Sequence, residues 1–394
     1  MKKVLLGFAL LIGSGSLYGQ RDSLDLKIGQ MILIGFPKAE ADPLVLEEIR
    51  QGKLGSIIFF EKNVPKSTAA FAALKKIIWT YQKAAPIPLI VGIDQEGGKV
   101  NRLKEKYGFT RSITAAAMAR AHSLDSVRFY AEATAATLAG LGFNINFAPD
   151  VDLAANPDNP VIVKYERAFS NNEDSVGLLA KEYIAQHRKY NVLTSPKHFP
   201  GHGSSKDDTH AGLADVTNTW TERELVPYRK LLQAGYVDAV MTSHIVNFKL
   251  DPKGLPGTLS NRVLDSLLRG KLGWQGVVIS DDMAMQAITK NYGLEEAIRL
   301  GILAGLDIMC FSNNIQGSET RTVDKVHQII KGYVLSGQIS RERIDQSYRR
   351  IMKLKARFMM PRDEWYRAEL LRLQKQLNAV TGEDKSSGHH RKKK

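Results

Sequence analysis

The 394-residue chain has a single cysteine, Cys310, so no disulfide framework can form. That cysteine lies inside an apolar stretch, far from the N-terminus, and offers no site for a lipid anchor after a leader. Long hydrophobic runs are also lacking. The apolar stretch Val4 to Ile12 falls well short of the ~20 residues a spanning helix needs. Neither a P-loop nor a G-x-G-x-x-G is present, and past the leader there is no G-x-S-x-G. These absences argue against phosphate cradling by a Gly-rich loop and against an ordinary serine esterase.

Cations are in surplus, with a formal net charge of +14. Much of the excess is terminal: Lys2 and Lys3 open the chain, and residues 382–394 hold five cations against two acids. The remainder is spread without the aromatic-interleaved basic stripe that single-strand binding needs, so no nucleic-acid partner is expected. An anionic polymer such as cell wall is compatible with it. Met1, Lys2 and Lys3, the apolar stretch and the small residues through Gly19 make the three regions of a signal peptide. Residues 1–19 are therefore expected to be removed, leaving a periplasmic or secreted protein with no integral membrane segment.

Short apolar runs alternate with helical patterns, which argues for βα units around a parallel sheet. Strands are predicted at 31–36, 54–60, 87–94, 144–152, 191–198, 238–245, 276–282 and 307–313. Eight is the number of a (β/α)8 barrel; a doubly wound open sheet is the structural rival. Residues 66–83 and 222–235 carry apolar positions at helical spacing and belong to an outer ring. Residues 322–378 read as three further amphipathic helices. The expected division is a catalytic barrel over 20–360, a C-terminal helix over 361–381 and a disordered basic tail over 382–394. Several strands end in ionisable residues, Asp94, Asp152, His198, His244 and Asp281, on the face where barrel active sites lie.

Three segments carry chemistry. In KHFPGHGSSKDDTH (197–210), Asp208 and His210 flank one residue and in an extended loop point the same way. The carboxylate can then favour the protonated imidazole, making His210 a competent proton donor and acceptor. His198, His202 and His210 with Asp207 and Asp208 could instead ligate a metal, but the spacing fits no zinc signature and no metal is expected. In GVVISDDMAM (276–285), strand alternation lets only one of Asp281 and Asp282 face the barrel axis. The other must cap the following helix or pair with a cation. In VGIDQEGGKVNR (91–102), Asp94 and Arg102 are the planar, bidentate groups that bind sugar hydroxyls.

With GIDQEGGKVNR, NFAPDVDLAANPDNPVI (146–162), KHFPGHG with DDTH, and SDDMAM on the page, the chain resembles glycoside hydrolase family 3 over about residues 25–355. The likeness is to its β-N-acetylglucosaminidase branch. The resemblance implies a nucleophile at Asp281, an acid/base at His210 paired with Asp208, and sugar-binding roles for Asp94, Arg102, Arg167, Lys197 and His198. It also implies a carbohydrate substrate, a retaining double displacement and no cofactor. Two positions depart from the family pattern, Ser204 where an aspartate is common and Lys99 where an arginine is common; both bear on aglycone fit. A glycoside phosphorylase, a β-glucosidase and a wall-binding protein without turnover are the rival expectations.

Overall fold

The computed structural model describes residues 23–121, 123–209, 212–315, 320 and 322–359. The expected leader, His210, the 361–381 helix and the basic tail lie outside the described residues. Every one of the eight expected strand regions contains a strand: β1 Ile32–Gly35, β2 Ser56–Phe59, β3 Ile90–Ile93, β4 Ile145–Asn146, β5 Leu193–Thr194, β6 Ala239–Met241, β7 Val277–Asp282 and β8 Ile308–Phe311. All pair in parallel, in the order β5-β4-β3-β2-β1-β8-β7-β6. Phe199 bridges to Thr242 beyond the ends of β5 and β6, and that contact closes the ring. The doubly wound rival is thereby excluded, and the fold is a (β/α)8 barrel.

Parallel barrel strands are covered on both faces, so they read as apolar runs instead of alternating ones; the four residues of β1, β2, β3 and β8 are all buried. The outer helices bury one stripe each. On Ala70–Ala84 the buried positions are Ala70, Leu74, Ile77, Ile78 and Tyr81, spaced as one helical face requires. Helix Pro43–Arg50 starts where Asp42 accepts hydrogen bonds from Leu44 N and Val45 N, with proline in its first turn. Of the expected segment 222–235, residues Glu222–Leu225 form a 3-10 turn and Val226–Gln233 the helix. Helices Val323–Leu335 and Arg341–Met359 occupy the described part of 322–378. Among the described residues, no helix is long and apolar enough to cross a membrane.

The expected strands 144–152 and 191–198 are cut short, to two residues each. Beyond them, backbone groups are satisfied by single bridges and side chains instead of a ladder. Asp150 bridges to Lys197, Gln95 N donates to Asn146 Oδ1, and His198 N donates to Asp152 Oδ1. The expected 238–245 strand likewise splits, Ile245–Val246 pairing with Ala214–Asp215 in a separate two-stranded sheet.

Candidate active site

At the carboxyl ends of the strands lies a cavity of about 510 Å³ bordered by Asp94, Arg102, Arg167, Lys197, His198, Asp208 and Asp281. The seven described residues to which the resemblance gives catalytic or sugar-binding roles thus meet at one place. A larger cavity, about 710 Å³, opens at the other end of the barrel between Arg229, Lys271, Trp274 and Arg357. The carboxylate among its lining residues, Asp238, is spent on two arginines. Volume alone would have picked the wrong end.

Asp281 sits where β7 and β8 lose register: Ile308 pairs with Ile279, but Cys310 with Asp282. The extra residue on β7 is a bulge, a device that re-aims side chains next to functional sites. Cys310 N donates to Ser280 Oγ at 2.9 Å, holding the irregularity in place. The bulge corrects the alternation argument, because both Asp281 and Asp282 border the cavity. They differ in how they are bonded. Asp282 accepts from Ala284 N and Ser312 N through Oδ1 and from Ser312 Oγ through Oδ2, so it fastens β7 to β8 and caps the turn before the next helix. Asp281 Oδ1 accepts from Asp282 N at 2.7 Å.

Beside Asp281 lies an alternating array of charges. Lys197 Nζ reaches Asp94 Oδ1 at 2.8 Å and Glu96 Oε1 at 2.7 Å. Arg167 takes Glu96 in a fork, Nε to Oε2 and Nη2 to Oε1, both at 2.8 Å. Arg102 Nη2 stands 3.5 Å from Asp94 Oδ2. Burial pushes the Glu96 carboxyl up, but the adjacent Arg167 and Lys197 outweigh it and hold the group well below the usual carboxylate range. The same partners keep Lys197 and Arg167 charged against their own burial.

His198 is a neutral member of this array. Arg167 Nη2 donates to its Nε2 at 3.1 Å, which leaves Nδ1 to carry the proton and donate to Asp152 Oδ2 at 2.7 Å. Burial and the guanidinium push its pKa down to about 4. Asp150, Asp152 and His198 bring three possible ligand atoms within 4.8 Å of one another, the one such metal-competent group among the described residues. The chemistry of this donor set fits a hydrogen-bond network better than an ion. The His198 proton already sits between two of the groups, and the Arg167 guanidinium stands 3.4 Å from Asp150 Oδ2.

Several functional positions escaped the sequence reading. Glu96, which links the two cations, was legible only as one more polar residue of the DQEGG turn. Asp150 is fully buried behind the cavity beside the strand-end Asp152; burial raises both carboxyl groups, and the neighbouring Asp152 carboxylate helps push Asp150 up to about 8. Conversely, His244 is a strand-end histidine that does not border the cavity. Its Nε2 hydrogen-bonds the carbonyl of Asp282 at 2.9 Å, supporting β7 from behind.

The model of the "Glycosyl hydrolase family 3 N terminal domain" matches residues 23–354. A beta-hexosaminidase of Tolumonas auensis is 30% identical over 290 residues, 73% of this chain and 84% of that protein. Beta-hexosaminidase A of Pseudoalteromonas piscicida is 30% identical over 80% of this chain, which spans 55% of its length. Among solved structures, a glycoside hydrolase family 3 beta-N-acetylglucosaminidase from Paenibacillus sp. str. FPU-7 matches with a TM-score of 0.79 and 35% identity, over 86% of this chain and 63% of that one. Beta-N-acetylhexosaminidase from Beutenbergia cavernae matches with a TM-score of 0.76 and 27% identity, over 85% and 98%. With a matching family model over most of its length and the same barrel in its structural neighbours, the chain belongs to glycosyl hydrolase family 3.

Proposed function

We propose that the protein is an exported, retaining exo-β-N-acetylglucosaminidase that removes terminal N-acetylhexosamine from peptidoglycan fragments or related glycans. The observation that carries this reading is the Asp281 carboxylate facing one cavity with the Asp94–Lys197–Glu96–Arg167–His198 array. A row of fixed, alternating donors and acceptors suits the hydroxyls of a single sugar ring, and the carboxylate beside it suits attack at the anomeric carbon.

In the mechanism, His210 protonates the glycosidic oxygen as Asp281 displaces the aglycone, forming a glycosyl-enzyme ester. His210 then takes a proton from water, which attacks the same carbon and releases Asp281. Two inversions give net retention. Asp208, which borders the same cavity as Asp281, favours the imidazolium that the first step needs. At the cavity's edge Lys99 Nζ lies 5.3 Å from the Tyr165 ring centre. An aromatic face with a cation above it suits an anionic aglycone such as a wall fragment. Export rests on the Met1–Gly19 leader pattern.

The test is release of nitrophenol from 4-nitrophenyl N-acetyl-β-glucosaminide, with and without phosphate, set against the β-glucoside, with NMR of the first-formed anomer. Hydrolysis with retention and at least about tenfold preference for the acetamido sugar is expected, the loss of one set of polar contacts. Dependence on phosphate would make it a phosphorylase, a ratio near one a β-glucosidase, and no turnover a binding protein. N-terminal sequencing of protein from its native host should begin near Gln20.

A further inference from the structure

Glu224 plays no part in the reaction as described, yet it is a carboxylic acid buried to 2% exposure on the short turn Glu222–Leu225. Among the described residues no cation forms an ion pair with it. A buried acid without a cation must find hydrogen-bond donors or destabilise the fold, and Glu224 finds them in one place. Ser204 N donates to its Oε1 at 2.9 Å and Gly203 N to its Oε2 at 3.3 Å. Both oxygens are spent on the backbone just after KHFPGH, the segment that leads to Asp208 and His210.

The opposite side of the same segment is held as firmly. Asp152 Oδ1 accepts from His202 N at 2.7 Å and from His198 N at 3.2 Å, and Asn159 Nδ2 donates to the carbonyl of His202 at 2.8 Å. The two glycines of PGHG have a packing reason. A Cβ on Gly201, whose φ is +117°, would stand 2.5 Å from Glu224 Cβ, and one on Gly203 would stand 1.8 Å from the carbonyl oxygen of Leu153. The root of the loop is therefore threaded between Glu224 and residues 152–159 with no free space, and within four residues of Ser204 the chain reaches the cavity at Asp208.

We propose that Glu224 is a positioning residue: through the Gly203 and Ser204 amides it fixes the root of the loop that carries the acid/base. This rests on the reading of His210 as that acid/base. A proton donor displaced by an ångström loses much of its effect, while the nucleophile on β7 stays where it is. The defect of a Glu224 variant should thus fall on the step that needs an acid, departure of a basic alcohol, and spare substrates whose leaving group departs unaided.

The experiment compares kcat/KM on N,N′-diacetylchitobiose and on 2,4-dinitrophenyl N-acetyl-β-glucosaminide for Glu224→Leu, Glu224→Gln and His210→Ala. Glu224→Leu should lose about 100-fold on the disaccharide and stay within about threefold on the dinitrophenyl glycoside, mainly in kcat. Glu224→Gln keeps an acceptor for Ser204 N and should lose only about three- to tenfold, again on the disaccharide alone. In a His210→Ala background Glu224→Leu should cost nothing further on either substrate. Should the leucine variant fail to fold, the glutamine variant carries the test. Equal losses on both substrates, or none on the disaccharide, overturn the proposal. A His210→Ala enzyme without leaving-group dependence overturns the acid/base reading itself, a separate failure.

Discussion

Buried charge is concentrated at both ends of this barrel, and it is used in opposite ways. At the amino ends of the strands, Asp238 accepts from Arg188, Arg357, Thr194 N and Thr194 Oγ1. Asp307 there accepts from Arg269, Arg350, Ser347 Oγ and Val278 N. Each carboxylate is enclosed and saturated, so nothing is left over for a ligand. At the carboxyl ends the same residue types line a cavity. Asp94, Glu96, Arg167 and Lys197 share partners in an open row, and behind them Asp150 Oδ2 has no hydrogen-bond partner among the described residues. The lesson is that a charged residue near a strand end is not informative by itself. What separates a structural ion cluster from a site is whether its hydrogen-bonding capacity is closed within the protein.

The sharpest way to break the comparison is to neutralise one aspartate at each end. Asp281→Asn should lower turnover by several orders of magnitude, because the glycosyl ester cannot form, while its melting temperature stays within about 2 °C of wild type, as suits a change outside the core. Asp238→Asn should do the reverse. Arg188 would be left buried and Arg357 half-buried without their counter-charge, a loss of about 3–5 kcal/mol, with the kcat of the folded fraction unchanged. Arrest by Asp238→Asn at full stability would erase the distinction between the ends.

Arg167→Lys comes next in size. Lysine keeps the charge but not the fork on Glu96 or the donation to His198 Nε2. We expect kcat/KM to fall about 10–100-fold, one or two charge-assisted hydrogen bonds, with little loss of stability. An unaltered kcat/KM would show that the array does not shape the sugar site.

The sequence made the barrel legible because strands buried on both faces are apolar without alternation, and eight such runs stand out between amphipathic helices. It overran β4 and β5, whose extended backbone continues past the ladder on single bridges and side-chain partners. No periodicity marks where a ladder ends. Asp94, Asp152, His198 and Asp281 were legible as ionisable groups at strand ends, a rule that also swept in His244. Arg167 and Lys197 came from resemblance to the family alone. Glu96, Asp150 and Glu224 were not found, because each acquires its meaning from partners 17 to 71 residues away in the chain. The Asp281 bulge was invisible for a related reason: register belongs to a pair of strands, and one strand's sequence does not contain it.

The smallest effect tests the saturated end at its one exception. Lys355, on helix Arg341–Met359, is fully buried, with no carboxylate partner among the described residues; its Nζ donates to Gln30 Oε1 at 2.6 Å and to the carbonyl of Gly55 at 2.9 Å. Burial pushes its pKa down from the ordinary 10.5 to about 7. Between those two values the unfolded chain holds a proton that the folded protein does not, so Lys355 makes stability rise with pH across that window and weighs most against the fold below about pH 7. Lys355→Met removes this burden and leaves two acceptors unpaired, a cost of about 1–3 kcal/mol that does not depend on pH. The variant's melting temperature relative to wild type should therefore be highest near pH 6.5 and fall steadily toward pH 10, where only the unpaired acceptors remain. Measuring the difference between the two proteins at each pH cancels the titration of every other group. A difference that is flat from pH 6.5 to 10 would mean that Lys355 keeps its proton in the folded state, and that the closed end of the barrel tolerates a charge without a counter-ion.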